Sequence, residues 1–178
     1  MDADRNAPSI EGLRLLNGHP IDQDSLFEYN NVVIFVILDG SPRVLEGLLN
    51  DLCRIVDRYQ YAGVVALVAF EHYNPIILRT AAGSHSFKRL LISFDEGETG
   101  RISQRYRNAF KESNHYEATA FIIDKGGKVQ WHGSLKDKAF DKILEQVAPG
   151  NQHLFDTGLD ISCSNSPNSS PSTTGQQQ

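Results

Sequence analysis

The sequence predicts an α/β fold whose sheet holds both parallel and antiparallel strands. Two unbroken apolar runs, VVIFVIL from Val32 to Leu38 and VVALVAF from Val64 to Phe70, show no alternation, which marks strands buried on both faces. Between them stands a long amphipathic segment, and a strand–helix–strand order makes a parallel pair joined by a crossover. Near the C-terminus, ATAFIID and KVQWHGS flank Lys125-Gly126-Gly127, which reads as a β-hairpin between antiparallel strands.

The remaining elements follow in order. Residues 1–9 are polar and read as a loose N-terminus, 10–148 as a folded domain, and 149–178 as a disordered tail rich in Ser, Pro and Gln, because that tail has too little to bury to offset its ordering entropy. NGHP, Asn17 to Pro20, predicts a hairpin or tight loop. After the first strand, Ser41 can cap a helix and Pro42 suits its first position, where no N–H is needed. That helix is expected from Pro42 to Tyr59. Leu45, Leu48, Leu49, Leu52, Val56 and Tyr59 form its apolar stripe, and Arg43, Asn50, Arg54 and Asp57 its wet side. A short helix from Pro75, a strand LLISF, an acidic turn DEGETG and a helix GRISQRYRNAF come next. The last helix, LKDKAFDKILEQV, is amphipathic through Leu135, Phe140, Ile143, Leu144 and Val147.

Length and charge exclude several classes. A chain of 178 residues with 40% hydrophobic residues supports one core. A net charge of −5 and a pI near 5.6 provide no basic field for a polyphosphate, so no nucleic-acid partner is expected. The longest apolar run falls far short of the roughly 20 residues that cross a bilayer, and MDADRNAPSI lacks the basic start of a secretory signal. No membrane association and a cytoplasmic location are therefore expected. Cys53 and Cys163 form no CxxC, and the scattered histidines form no ligand pair, so neither a metal nor a cofactor is expected.

The phrases NNVVIFVILDGSPRVLEGLL and TAFIIDKGGKVQWHG, in this element order, resemble the thioredoxin-like superfamily and, within it, redoxins of TlpA and peroxiredoxin type. The resemblance spans roughly residues 10 to 148 and implies a three-layer α/β/α fold, a central mixed sheet with flanking helices. It also implies a reactive turn at LDGSPR. Aligned with a CxxC phrase, Gly40 and Arg43 stand where the two cysteines would be, with Ser41 and Pro42 between them, and Ala118 stands where the family carries its cis-proline. Both thiols are absent. Thiol–disulfide exchange needs a thiolate and a resolving thiol, which Gly40 and Arg43 cannot supply. A cis bond before a residue other than proline costs about 2.5–4 kcal/mol, so the Glu117–Ala118 bond is expected to be trans.

Cys53, three turns into the long helix beside Leu49, Leu52 and Val56, reads as a small buried hydrophobe with a raised pKa, and Cys163 as an exposed tail thiol. Arg43 near a helix start could hold an anion, and otherwise reads as a solvated arginine. Trp131-His132-Gly133 reads as packing, with the indole under the last helix and the imidazole at the rim. Arg101, Arg105, Arg107 and Lys111 form the one basic cluster, read as a wet helix face or a docking patch for an acidic partner. Ser166-Pro167 and Ser170-Pro171 are candidate proline-directed phosphorylation sites. The functional expectation is a binding or scaffold module with a protein partner and no dithiol chemistry. The alternative is a thiol-dependent oxidoreductase or antioxidant that uses Cys53 or Cys163.

Overall fold

In the computed structural model, which describes residues 5–38, 42–71, 90–95, 101–111 and 116–148 and, for 42–46, the backbone alone, both apolar runs lie inside the sheet. In chain order the elements are β1 (Arg5–Asn6), β2 (Leu13–Leu15), α1 (Gln23–Tyr29), β3 (Val32–Leu38), α2 (Pro42–Arg58), β4 (Val64–Phe70), β5 (Leu90–Asp95), α3 (Arg101–Phe110), β6 (Ala118–Asp124), β7 (Lys128–Ser134) and α4 (Lys138–Val147). The described strands form one seven-stranded sheet in the order β1-β7-β6-β3-β4-β5-β2. β3 runs parallel to β4 from Val32 opposite Val64 to Leu38 opposite Phe70, and antiparallel to β6 from Val32 opposite Asp124 to Leu38 opposite Ala118. The tail over 149–178, the expected helix from Pro75 and the turn beyond Asp95 lie outside the described residues.

Strand period sorts each central strand onto two cores. Val32, Ile34, Val36 and Leu38 face α2 and α4, where Leu48, Leu49, Leu52, Val56, Phe140 and Leu144 cover them. Val33, Phe35 and Ile37 face α1 and α3, and meet Leu26, Ile102, Tyr106 and Phe110. A three-layer α/β/α arrangement results. Full burial of such a side chain stabilises by about 1.5–3 kcal/mol, which is why a run apolar at every position holds mid-sheet. The expected parallel pair, the hairpin and the long helix from Pro42 are all present.

Three features depart from expectation. Residues 5–9 are not loose: Arg5 and Asn6 pair with Val129 and Lys128, the Ala7 N–H donates to the Gly127 carbonyl (2.8 Å), and Arg5 Nη1 donates to the Ala109 carbonyl (2.7 Å). Distant partners that local composition does not reveal order this segment. The piece IDQDSLFEYN contains α1, capped by Asp22, whose carboxylate accepts from the Asp24 N–H (3.1 Å). At seven residues, α1 is too short for hydrophobic periodicity to announce it. The basic run is a wet face only in part: Arg101 and Lys111 are exposed, whereas Arg107 is buried and Arg105 Nη1 donates to the Ser9 carbonyl (2.7 Å).

Candidate functional site

The end of the sheet where the central strand β3 stops and α2 begins is the region that the sequence marks. The Leu38 carbonyl accepts from the Glu71 N–H (3.0 Å), and Leu38 lies opposite Ala118 on one side and Phe70 on the other. Three strand ends thus converge at one mouth. Pro42 is the first residue of α2, as its fixed φ and missing N–H favour. Gly40 and Ser41 lie outside the described residues, as does the Arg43 side chain.

Ala118 is 4% exposed, and its carbonyl accepts from the Leu135 N–H (3.1 Å). The Glu117–Ala118 bond is trans. Lys136 Nζ reaches the exposed Glu117 carboxylate (2.9 Å) across the same loop, an ion pair too solvated to add much stability. Next in the chain, Thr119 is fully buried on the α3 side, and among the described residues no group pairs with its hydroxyl.

Sequence reading missed the buried charged pair that the described residues place at this end of the sheet. Arg107 Nε and Nη2 donate to the Glu71 carboxylate at 2.9 and 3.0 Å, with side chains 9% and 19% exposed. This two-pronged geometry is the strong form of an ion pair. It ties α3 to the residue that follows β4, next to the Leu38 carbonyl. A signal was available: Glu71 is a lone charge directly after a strand apolar at every position, and Arg107 adjoins the Ile102, Tyr106 and Phe110 stripe. Nearby, Asp95 accepts from the Ile102 N–H through Oδ2 (2.7 Å) at the start of α3, and burial pushes its carboxyl above the ordinary value.

The thiols are not brought to the mouth among the described residues. Cys53 lies 11 residues after Pro42, which places it about 16 Å along the helix from the first turn. It is half-buried against the aliphatic core, and burial, followed by the Asp57 charge, pushes its thiol up. Cys163 lies outside the described residues. Trp131 packs edge-on against Phe140 of α4 with ring centroids 5.6 Å apart, and lies so close over Gly133 that a Cβ there would stand 2.8 Å from its ring. His132 points to the other face and stacks on Phe121 (5.9 Å) beside Phe110 (5.1 Å). Among the described residues no three His, Cys, Asp or Glu side chains converge as metal ligands, and no helix is long and apolar enough to cross a membrane.

This sheet order, these layers and a mouth between β3 and α2 define the thioredoxin-like fold, and solved structures agree. A structure described as a thiol:disulfide interchange protein DsbE from Chlorobium tepidum superposes with a TM-score of 0.59 at 17% identity, over 82% of this chain and 94% of that one. A thiol:disulfide interchange protein from Bacteroides sp. gives 0.62 at 11% identity, over 83% and 91%. BsSco, of the Sco family of cytochrome c oxidase assembly proteins, gives 0.61 at 14% identity, over 83% and 94%. No family model and no curated protein matches the sequence.

Proposed function

We propose that the protein is a thioredoxin-like module without dithiol chemistry, working in the cytoplasm by binding a protein partner. One observation carries this reading: the described thiol stands about 16 Å along α2 from its first turn, half-buried and with its pKa raised, and the resemblance aligns Gly40 and Arg43, neither of which carries sulfur, with the reactive pair. A helix start lowers the pKa of a thiol placed there and does nothing for one three turns away. In this reading the domain is the expected 10–148, with the short strand Arg5–Asn6 added at its sheet edge. The test is insulin reduction and peroxide consumption by the purified full chain, beside Cys53→Ser and Cys163→Ser. The expected result is no turnover above the buffer control in any of them. Turnover by the wild type that either serine variant abolishes would overturn the proposal.

A second reading draws on the neighbours described as thiol:disulfide interchange proteins. Under it, Cys53 or Cys163 performs the exchange, and Cys53 should then be modified by a thiol reagent as fast as a free cysteine. The raised thiol pKa argues for slow modification, with its pH inflection displaced upward.

A further inference from the structure

Among the described residues, Tyr29 and Tyr61 are the large apolar side chains that stand open to solvent, 78% and 81% exposed. Both lie at the end of the sheet opposite the mouth. Tyr29 closes α1, and Tyr61 sits in the short 3-10 helix Gln60–Ala62 that follows α2. Asn31 stitches the two loops together: its N–H donates to the Gly63 carbonyl (2.9 Å) and its Nδ2 to the Ala62 carbonyl (3.0 Å). The stitch is tight, since a Cβ at Gly63, where φ is +70°, would stand 2.8 Å from Asn31 Nδ2. Each tyrosine lies within two residues of these bonds, so two aromatic rings are held out from one fixed base. Single exposed apolar residues need no explanation, whereas two rings on a clamped pair of loops form a contact surface of the kind aromatic residues supply.

The chain itself returns to this end. α4 starts beside the mouth, where the Leu135 N–H donates to the Ala118 carbonyl (3.1 Å), and runs back along the sheet until the Glu145 charge acts on the Tyr59 hydroxyl. Ala148 thus comes close to the 3-10 helix that bears Tyr61. In the stretch that follows, Leu154, Phe155, Leu159 and Ile161 are the large apolar residues, gathered in one piece of an otherwise polar sequence, and Asp156 and Asp160 are its charged ones. The six residues from Ala148 to Leu154 span up to about 20 Å when extended, and a linker that short holds a segment at an effective concentration of about 1 mM. Arg58, exposed in the last turn of α2 and next to this surface, complements the charge of the two aspartates. We propose that the apolar segment 154–161 of this chain docks on Tyr29 and Tyr61 and covers their rings. The docking does not rest on the reading of the mouth, which is about 20 Å away along the sheet.

The test is paramagnetic relaxation NMR on the full chain carrying Cys53→Ser, spin-labelled at Cys163, two residues beyond the segment. Selective broadening of the amides of Asn30, Gln60 and Gly63 is expected. It should fall at least about fivefold in the triple variant Leu154→Ser, Phe155→Ser and Leu159→Ser, and equally in the double variant Tyr29→Ser and Tyr61→Ser. The tyrosines are exposed, so the double variant should keep the wild-type melting curve. Unchanged broadening in either variant would mean that the label only sweeps past the end of α4, and would overturn the proposal. Broadening passed from a spin-labelled chain to an isotope-labelled one in a mixed sample would also overturn it, by assigning the surface to a second copy.

Discussion

The two faces of the sheet are built by different means although the same strands serve both. On the α2 and α4 side, β3 presents Val32, Ile34, Val36 and Leu38 to a layer made largely of leucine, isoleucine and valine. On the α1 and α3 side, the core is aromatic: Phe35 and Tyr106 have ring centroids 4.5 Å apart, Tyr106 and Phe121 5.0 Å, and Phe110 and Phe121 5.5 Å. Polar pins surround it. Tyr106 donates from its hydroxyl to the Pro8 carbonyl (2.9 Å), Arg105 to Ser9, Arg5 to Ala109 and Arg107 to Glu71. Among the described residues the first face is held mainly by burial, which needs no direction. On the second face, short α1 and ten-residue α3 carry less apolar surface, and directional bonds fix their place.

Truncations sharpen this contrast most. Phe121→Ala, in the middle of the aromatic cluster, should cost about 4 kcal/mol in urea unfolding, and Leu52→Ala on the aliphatic side about 3 kcal/mol. Similar values would agree with cores of equal packing; a much smaller loss at Phe121 would mean that the pins, not the rings, hold α3. Arg107→Met tests the pins directly. It leaves the Glu71 carboxylate largely buried without its partner and should cost about 3 kcal/mol, whereas Arg107→Met with Glu71→Leu should recover most of that loss. Failure of the double variant to recover would show that the pair does more than satisfy its own charges.

A smaller effect is expected from Tyr106→Phe, which keeps the ring and removes the bond to Pro8. About 1 kcal/mol should be lost, with faster hydrogen exchange over residues 5–10. The smallest is a pH dependence at Asp95. Burial raises its folded-state pKa above 3.8, so between that value and the raised one the folded state binds more protons than the unfolded. Its contribution is therefore fully present below the unfolded pKa and is lost as pH rises through the folded one. The stability difference between wild type and Asp95→Asn, followed through the acid range, should fall with rising pH. A flat difference would show that the carboxylate titrates as it does in the unfolded chain.

Sequence alone determined the strands at Val32 and Val64, the helix from Pro42, the β6–β7 hairpin and the terminal helix, because continuous burial and helical period are written within each segment. The absence of cysteine from positions 40 and 43 was equally legible, since it is a matter of residue identity. The tertiary structure decided that residues 5–9 join the sheet edge, that Arg107 turns inward to Glu71, and that the loops bearing Tyr29 and Tyr61 meet at one end of the sheet. Each of these depends on partners tens of residues apart in the chain, and a side chain's solvation and charge pairing exist only once folding has brought those partners together.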